Sequence, residues 1–274
     1  IAFLLALISV LYLAPYAAVT VGITCLVLAI ACYIALLGRF RNTAEPRNFW
    51  IFAIWSAGLL LFGAMESLPR SFAAIVLGLG AVAAIALGAR LKCLTLEAHG
   101  AIYLTVATIT SGLLEYAIGV LTARSAPKPA WGVFAIAACA VLSYAAGRER
   151  QDEAWQNQVF HFISAWWATC AVAALLAHGL LGLTGLIVVP LDFHIAFVRT
   201  LALCLVTLGL AYLGSRGRRL EMTRIAYTAL GFVALKLVVE DLHHGRMAFI
   251  AASIFLFAVT LIAVPHLTRS SRTT

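Results

Sequence analysis

Apolar runs of about twenty residues follow one another along almost the whole chain, near residues 1–13, 16–38, 49–65, 71–89, 101–121, 130–147, 159–183, 193–213, 225–242 and 248–267. The hydrocarbon core of a bilayer is about 30 Å thick, and a helix of roughly 20 apolar residues crosses it. Lipid offers no partner to a free amide, so each run must satisfy its own backbone as a helix. The period-2 alternation of a membrane β-barrel is absent. The expected fold is all-α: a polytopic transmembrane helical bundle of about ten spans, or nine if the first two runs, separated only by Pro15, form one kinked helix. Residues 1–274 read as a single transmembrane domain, because no loop exceeds about a dozen residues.

Composition agrees with that pattern, since 64% of residues are hydrophobic and 11% charged, against about a quarter charged in soluble domains. The net charge of +8 raises nucleic acid as a partner. The basic residues, however, fall between apolar runs with no interleaved aromatics, so no nucleic-acid interface is expected. Membrane lipids are the expected partners, with other membrane subunits as further candidates. The six cysteines show no CxxC spacing and five lie within apolar runs, which indicates neither a disulfide framework nor a zinc site. No cofactor is expected. The chain begins with Ile1 and no basic segment precedes its first run. That argues against an intact signal peptide, and suggests a chain that begins within a longer or processed protein.

Counting cations by side gives the topology. Arg39, Arg41, Arg47, Arg90, Lys92, Arg148, Arg150, Arg216, Arg218, Arg219, Arg224, Arg269 and Arg272 fall on one side, and Arg70, Arg124, Lys128 and Arg246 on the other. The positive-inside rule makes the richer side cytoplasmic and puts the C-terminus there. A bacterial inner membrane is the expected location. Trp50, Trp131, Trp155 and Tyr103 stand near run ends, where interfacial anchors are found.

An internal repeat is visible. Gly38-Arg39-Phe40-Arg41, followed by Phe49-Trp50-Ile51-Phe52 and Trp55, matches Gly147-Arg148-Glu149-Arg150, followed by Phe160-His161-Phe162 and Trp166. Leu96-Glu97 with Tyr103 matches Leu220-Glu221 with Tyr227. The repeat units are 16–121 and 130–242, with a final span at 248–267. Four helices per unit make the copies parallel, an arrangement found in transporters that duplicated helix hairpins also produce.

Ionisable residues within spans are functional candidates because each costs about 2.5–3.5 kcal/mol at a helix centre. Glu115, His178, Arg199 and Lys236 all lie roughly 8–10 Å below the outer surface, at 1.5 Å of rise per residue. Glu66, Asp192, His194, Glu240 and Asp241 stand just above them. One reading is an outward-facing polar cavity in which Arg199 and Lys236 hold an anion and Glu115 or His178 exchanges a proton. The other is internal pairing: Glu115 with Arg199 or Lys236, and Lys236 with Glu240 one turn on. Glu240 and His244 also share a helix face, but two ligands are too few for a metal site. A haem held by His178 with His194 or His161 is disfavoured, since His161 lies near the opposite surface. Phosphate-binding glycine loops, GxSxG and HExxH are all absent, so no catalytic residue is assigned.

The stretch Ala229-Leu230-Gly231-Phe232-Val233-Ala234-Leu235-Lys236-Leu237-Val238-Val239-Glu240-Asp241-Leu242, with the final span from Phe249 to His266, resembles an uncharacterised family of bacterial multi-pass membrane proteins grouped as a domain of unknown function. In that family a lysine-containing span ending in an acidic residue precedes the last helix. The resemblance covers mainly the last third of the chain. It implies N-terminal continuation in larger members, and no activity or site residue. Three functions stay open: transporter-like or flippase-like binding of a small or lipid-linked anion, a structural or assembly subunit of a membrane complex, and an enzyme acting on a lipid-linked substrate.

Overall fold

The computed structural model describes residues 15–38, 46–122, 127–147, 155–187, 192–217, 219–242 and 246–270. Among these the regular structure is entirely helical. The helices are α1 (Pro15–Gly38), α2 (Pro46–Ser67), α3 (Arg70–Leu91), α4 (Leu94–Thr110), α5 (Leu113–Thr122), α6 (Trp131–Ala146), α7 (Trp155–Ile187), α8 (Asp192–Gly217), α9 (Leu220–Lys236) continued by a π-helical segment (Leu237–Asp241), and α10 (Met247–Ser270). Every apolar run from 16–38 onward falls on a helix, and the run at 1–13 lies outside the described residues. Proline opens α1 and α2, where its missing N–H has no helical acceptor to lose.

Two runs depart from a single α-helix. The run at 101–121 breaks between α4 and α5 at Ser111-Gly112, where Gly112 takes φ +76°. The run at 225–242 changes from α to π at Leu237. Six described helices are long and apolar enough to cross a bilayer, or seven if α4 and α5 are one broken span, and Ile51–Ser67 and Trp131–Ala146 are shorter apolar helices.

The exterior is apolar, and the mostly apolar core also holds a few buried charged groups. Large apolar side chains such as Ile34, Ile54, Phe255 and Ile262 point outward, Ile262 at 72% exposure, while Arg199 is 2% exposed and Lys236 and Asp241 are buried. An apolar exterior suits lipid, where helices gain nothing by hiding leucines and associate through close packing of small residues. The chain is therefore built as a membrane-embedded helical protein.

The chain divides into two compact units, one holding α1–α4 and the other α5–α10. In the first, α1 packs on α2 and α3 on α4. A Cβ on Gly63 would stand 2.8 Å from the Gly22 carbonyl oxygen, so the α1–α2 backbones touch. The buried face of α3 is nearly all small: Ala73, Ala74, Gly78, Ala81, Ala84 and Gly88. In the second unit α8 is central and packs against α7, α9 and α10. Its core is again small, with Ala165, Ala211 and Ala226 around Leu210, Ile225 and Val264.

The glycines near the ends of α3 and α8 share two features. The Cys93 N–H donates to the Gly88 carbonyl at 2.9 Å, and the Arg219 N–H to the Gly214 carbonyl at 3.0 Å. A Cβ on Gly88 would press on Glu97, and one on Gly214 on Thr223. Counted from each glycine, Glu97 falls opposite Thr223, two residues from the sequence pairing with Glu221. The following α run ends at Thr110 in one case and Lys236 in the other, the same distance past each glycine.

Candidate functional site

Arg199, Thr200, Lys236, Glu240 and Asp241 form a polar cluster between α8 and the α9–π helix. Lys236 Nζ donates to the Ala196 carbonyl at 2.8 Å, to Thr200 Oγ1 at 2.7 Å and to Asp241 Oδ1 at 2.7 Å. An ammonium has three donors, so these partners saturate it. Thr200 in turn donates to Asp241 Oδ2 at 2.8 Å, which engages the second carboxylate oxygen. Arg199 Nη1 donates to Glu240 Oε1 at 2.9 Å, and Glu240 Oε2 lies 3.3 Å from Lys236 Nζ. Among the described residues two cations thus face two carboxylates.

The π segment makes this pairing possible. On an α-helix, residues five apart lie about 140° apart around the axis, so Lys236 and Asp241 would face different neighbours. The wider π turn carries an i→i+5 hydrogen bond, here from the Leu242 N–H to the Leu237 carbonyl. That brings Asp241 onto the face of Lys236. Glu240, one α turn on, is also within reach, so one lysine meets both acids.

The other expected members lie elsewhere. Glu115 is exposed on α5, with no hydrogen bond or ion pair among the described residues. His178 on α7 packs against Tyr116 of α5, ring centroids 5.9 Å apart. Asp192 is exposed at the first residue of α8, where a carboxylate suits the positive end of the helix dipole. His194 packs among Phe193 and Phe249, whose rings lie 4.3 and 5.0 Å from its own. The structure thus joins Arg199, Lys236 and Glu240, and leaves Glu115, His178, Asp192 and His194 outside the cluster. The pairing of Lys236 with Glu240 holds, whereas Glu115 pairs with neither Arg199 nor Lys236. His244 lies outside the described residues, and among those described no group of three or more potential metal ligands converges.

The chain matches no known family, no curated protein and no solved structure. What the cluster can do therefore rests on its own atoms. Its inner members, Thr200, Lys236 and Asp241, bond to one another.

A second polar cluster was not expected. In the first unit Tyr33 Oη lies 2.8 Å from His99 Nδ1 and 2.5 Å from Tyr103 Oη. Tyr103, read from sequence as an interfacial anchor, is instead 1% exposed. The signal was present as His99 and Tyr103, one helical turn apart on one face. Trp131, by contrast, is exposed at the start of α6.

Proposed function

We propose that this chain is a multi-pass membrane scaffold, a structural or assembly subunit whose four-charge cluster fastens the α9–π helix to α8. The observation that carries this reading is closure of the cluster: the two cations that would hold a transported anion are met by Glu240 and Asp241 of the same chain. A buried ion pair adds little net stability, yet breaking one costs several kcal/mol. Such a pair therefore serves to admit one helix register and reject others.

In this reading the chain crosses a bacterial inner membrane about ten times with its C-terminus in the cytoplasm, and arose by duplication of a four-helix unit. The matching turns at Gly88 and Gly214 support the duplication. Counted in that register, Thr110 and Glu115 align with Lys236 and Asp241, so the first copy lacks the lysine and its acidic counterpart lies exposed beyond a helix break. Only the second copy carries the fastening.

The test is reconstitution of the full chain. In phospholipid vesicles it should leave imposed phosphate and acetate gradients intact, and on native electrophoresis of its own membrane it should migrate in an assembly larger than itself. Gradient dissipation beyond that of empty vesicles, or migration as a lone chain, overturns the scaffold reading.

A further inference from the structure

The end of the second unit where α8 turns into α9 carries exposed cations that no carboxylate meets among the described residues. Arg216 stands in the last turn of α8 and Arg224 in the second turn of α9, and both are exposed. Neither takes part in an ion pair with a described residue. Glu221, one turn before Arg224, instead accepts from the Tyr144 hydroxyl at 3.1 Å. The helix dipole favours a cation in the last turn of a helix but not near its start, so Arg224 gains nothing from its own helix. The exposed side chains at this end are also layered, in the same order on both helices. Arg216 Nη1 donates at 2.6 Å to the hydroxyl of Tyr212, four residues deeper in α8. Tyr227 stands three residues deeper than Arg224 in α9, and the two tyrosines are 47% and 45% exposed. Deeper still the exposed side chains are apolar: Leu205 on α8, and Phe232 and Leu235 on α9. Three or four residues of helix rise about 4.5–6 Å, and the headgroup layer on each side of the hydrocarbon core is about 5–7 Å thick. With the tyrosines at the hydrocarbon boundary, where tyrosine is enriched, the two guanidinium groups reach the level of the lipid phosphates.

We propose that this end of the second unit is a docking surface for anionic phospholipid, with Arg216 and Arg224 on headgroup phosphates and Tyr212 and Tyr227 at the hydrocarbon boundary beneath them. Charge complementarity selects the partner: exposed arginines at headgroup depth are attracted to a leaflet of net negative charge, and the planar guanidinium fork suits a phosphodiester. Tyr212 engages one Nη1 N–H of Arg216, which orients the fork and leaves its other N–H groups to the lipid. The surface owes nothing to the four-charge cluster, which stands at the opposite end of α9.

Thermal unfolding of the full chain in lipid-doped dodecylmaltoside micelles tests the proposal. Phosphatidylglycerol at about ten times its apparent dissociation constant should raise the melting temperature by about 4 °C over phosphatidylcholine of the same acyl chains, and high salt should shrink the gain. Arg216→Gln combined with Arg224→Gln should lose at least about half of it, each variant being read against itself in phosphatidylcholine. Arg70→Gln combined with Lys128→Gln, which removes two exposed cations from the cation-poor side, should keep it. Inorganic phosphate at the same concentration should give no shift. Equal melting temperatures in the two lipids, a gain that survives in the Arg216 and Arg224 variant, or an equal loss in the Arg70 and Lys128 variant overturns the proposal. A shift with inorganic phosphate as large as with phosphatidylglycerol assigns the arginines to a soluble anion and overturns it as well. Should the Arg216 and Arg224 double variant not elute as folded protein, Arg216→Gln and Arg224→Gln are read singly by the same criteria.

Discussion

A buried ammonium needs three acceptors, and Lys236 finds them in a carbonyl, a hydroxyl and a carboxylate. Lys236→Met leaves Asp241 charged and buried, which should cost about 3–5 kcal/mol in detergent unfolding. Lys236→Met with Asp241→Leu removes both charges and should recover most of that loss; a double variant as unstable as the single would show that the pair is not coupled. Glu115→Gln, at an exposed position without an ion pair, should stay within about 0.5 kcal/mol of the parent in the same assay. Arg199, Lys236 and Glu240 were legible as one constellation, because ionisable side chains in apolar runs stand out in any sequence. The bond from Lys236 to Asp241 was not legible, because a helical period of 3.6 directs Asp241 elsewhere and nothing local announces the π turn. Glu115 misled for the complementary reason: its depth along the helix could be counted, but the face it occupies could not.

Helix placement was the most legible level, since a twenty-residue apolar run in lipid has no alternative to helix. The break at Ser111-Gly112 was hidden, because both residues are small enough to continue a span as readily as to interrupt one. Close packing within hairpins depends on individual glycines, and α2 holds a matched pair for testing this. Gly63→Ala drives a Cβ into the backbone of α1 and should destabilise by about 1–3 kcal/mol. Gly58→Ala meets nothing within 4 Å and should be neutral or stabilising by up to about 1 kcal/mol, as helix propensity favours alanine. Thermal unfolding of the two variants side by side checks both. Equal losses would mean that α1 and α2 do not meet at Gly63.

At the scale of the whole molecule, the thirteen cations on one side and four on the other predict orientation. Alkaline phosphatase fused at Lys128 should be active and at Arg224 inactive, and green fluorescent protein at the C-terminus should fluoresce. The reverse pattern would invert the topology. The ion pairs also bear on how the protein is made. Arg199 and Glu240 are separated by 41 residues, and ribosomes add about 5–20 residues per second. The segment that becomes α8 thus reaches the translocon roughly 2–8 seconds before its neutralising acid exists. An unpartnered arginine at membrane depth opposes insertion by about 2.5–3.5 kcal/mol. The many apolar residues of α8 must therefore carry that cost until α9 and its acidic end emerge.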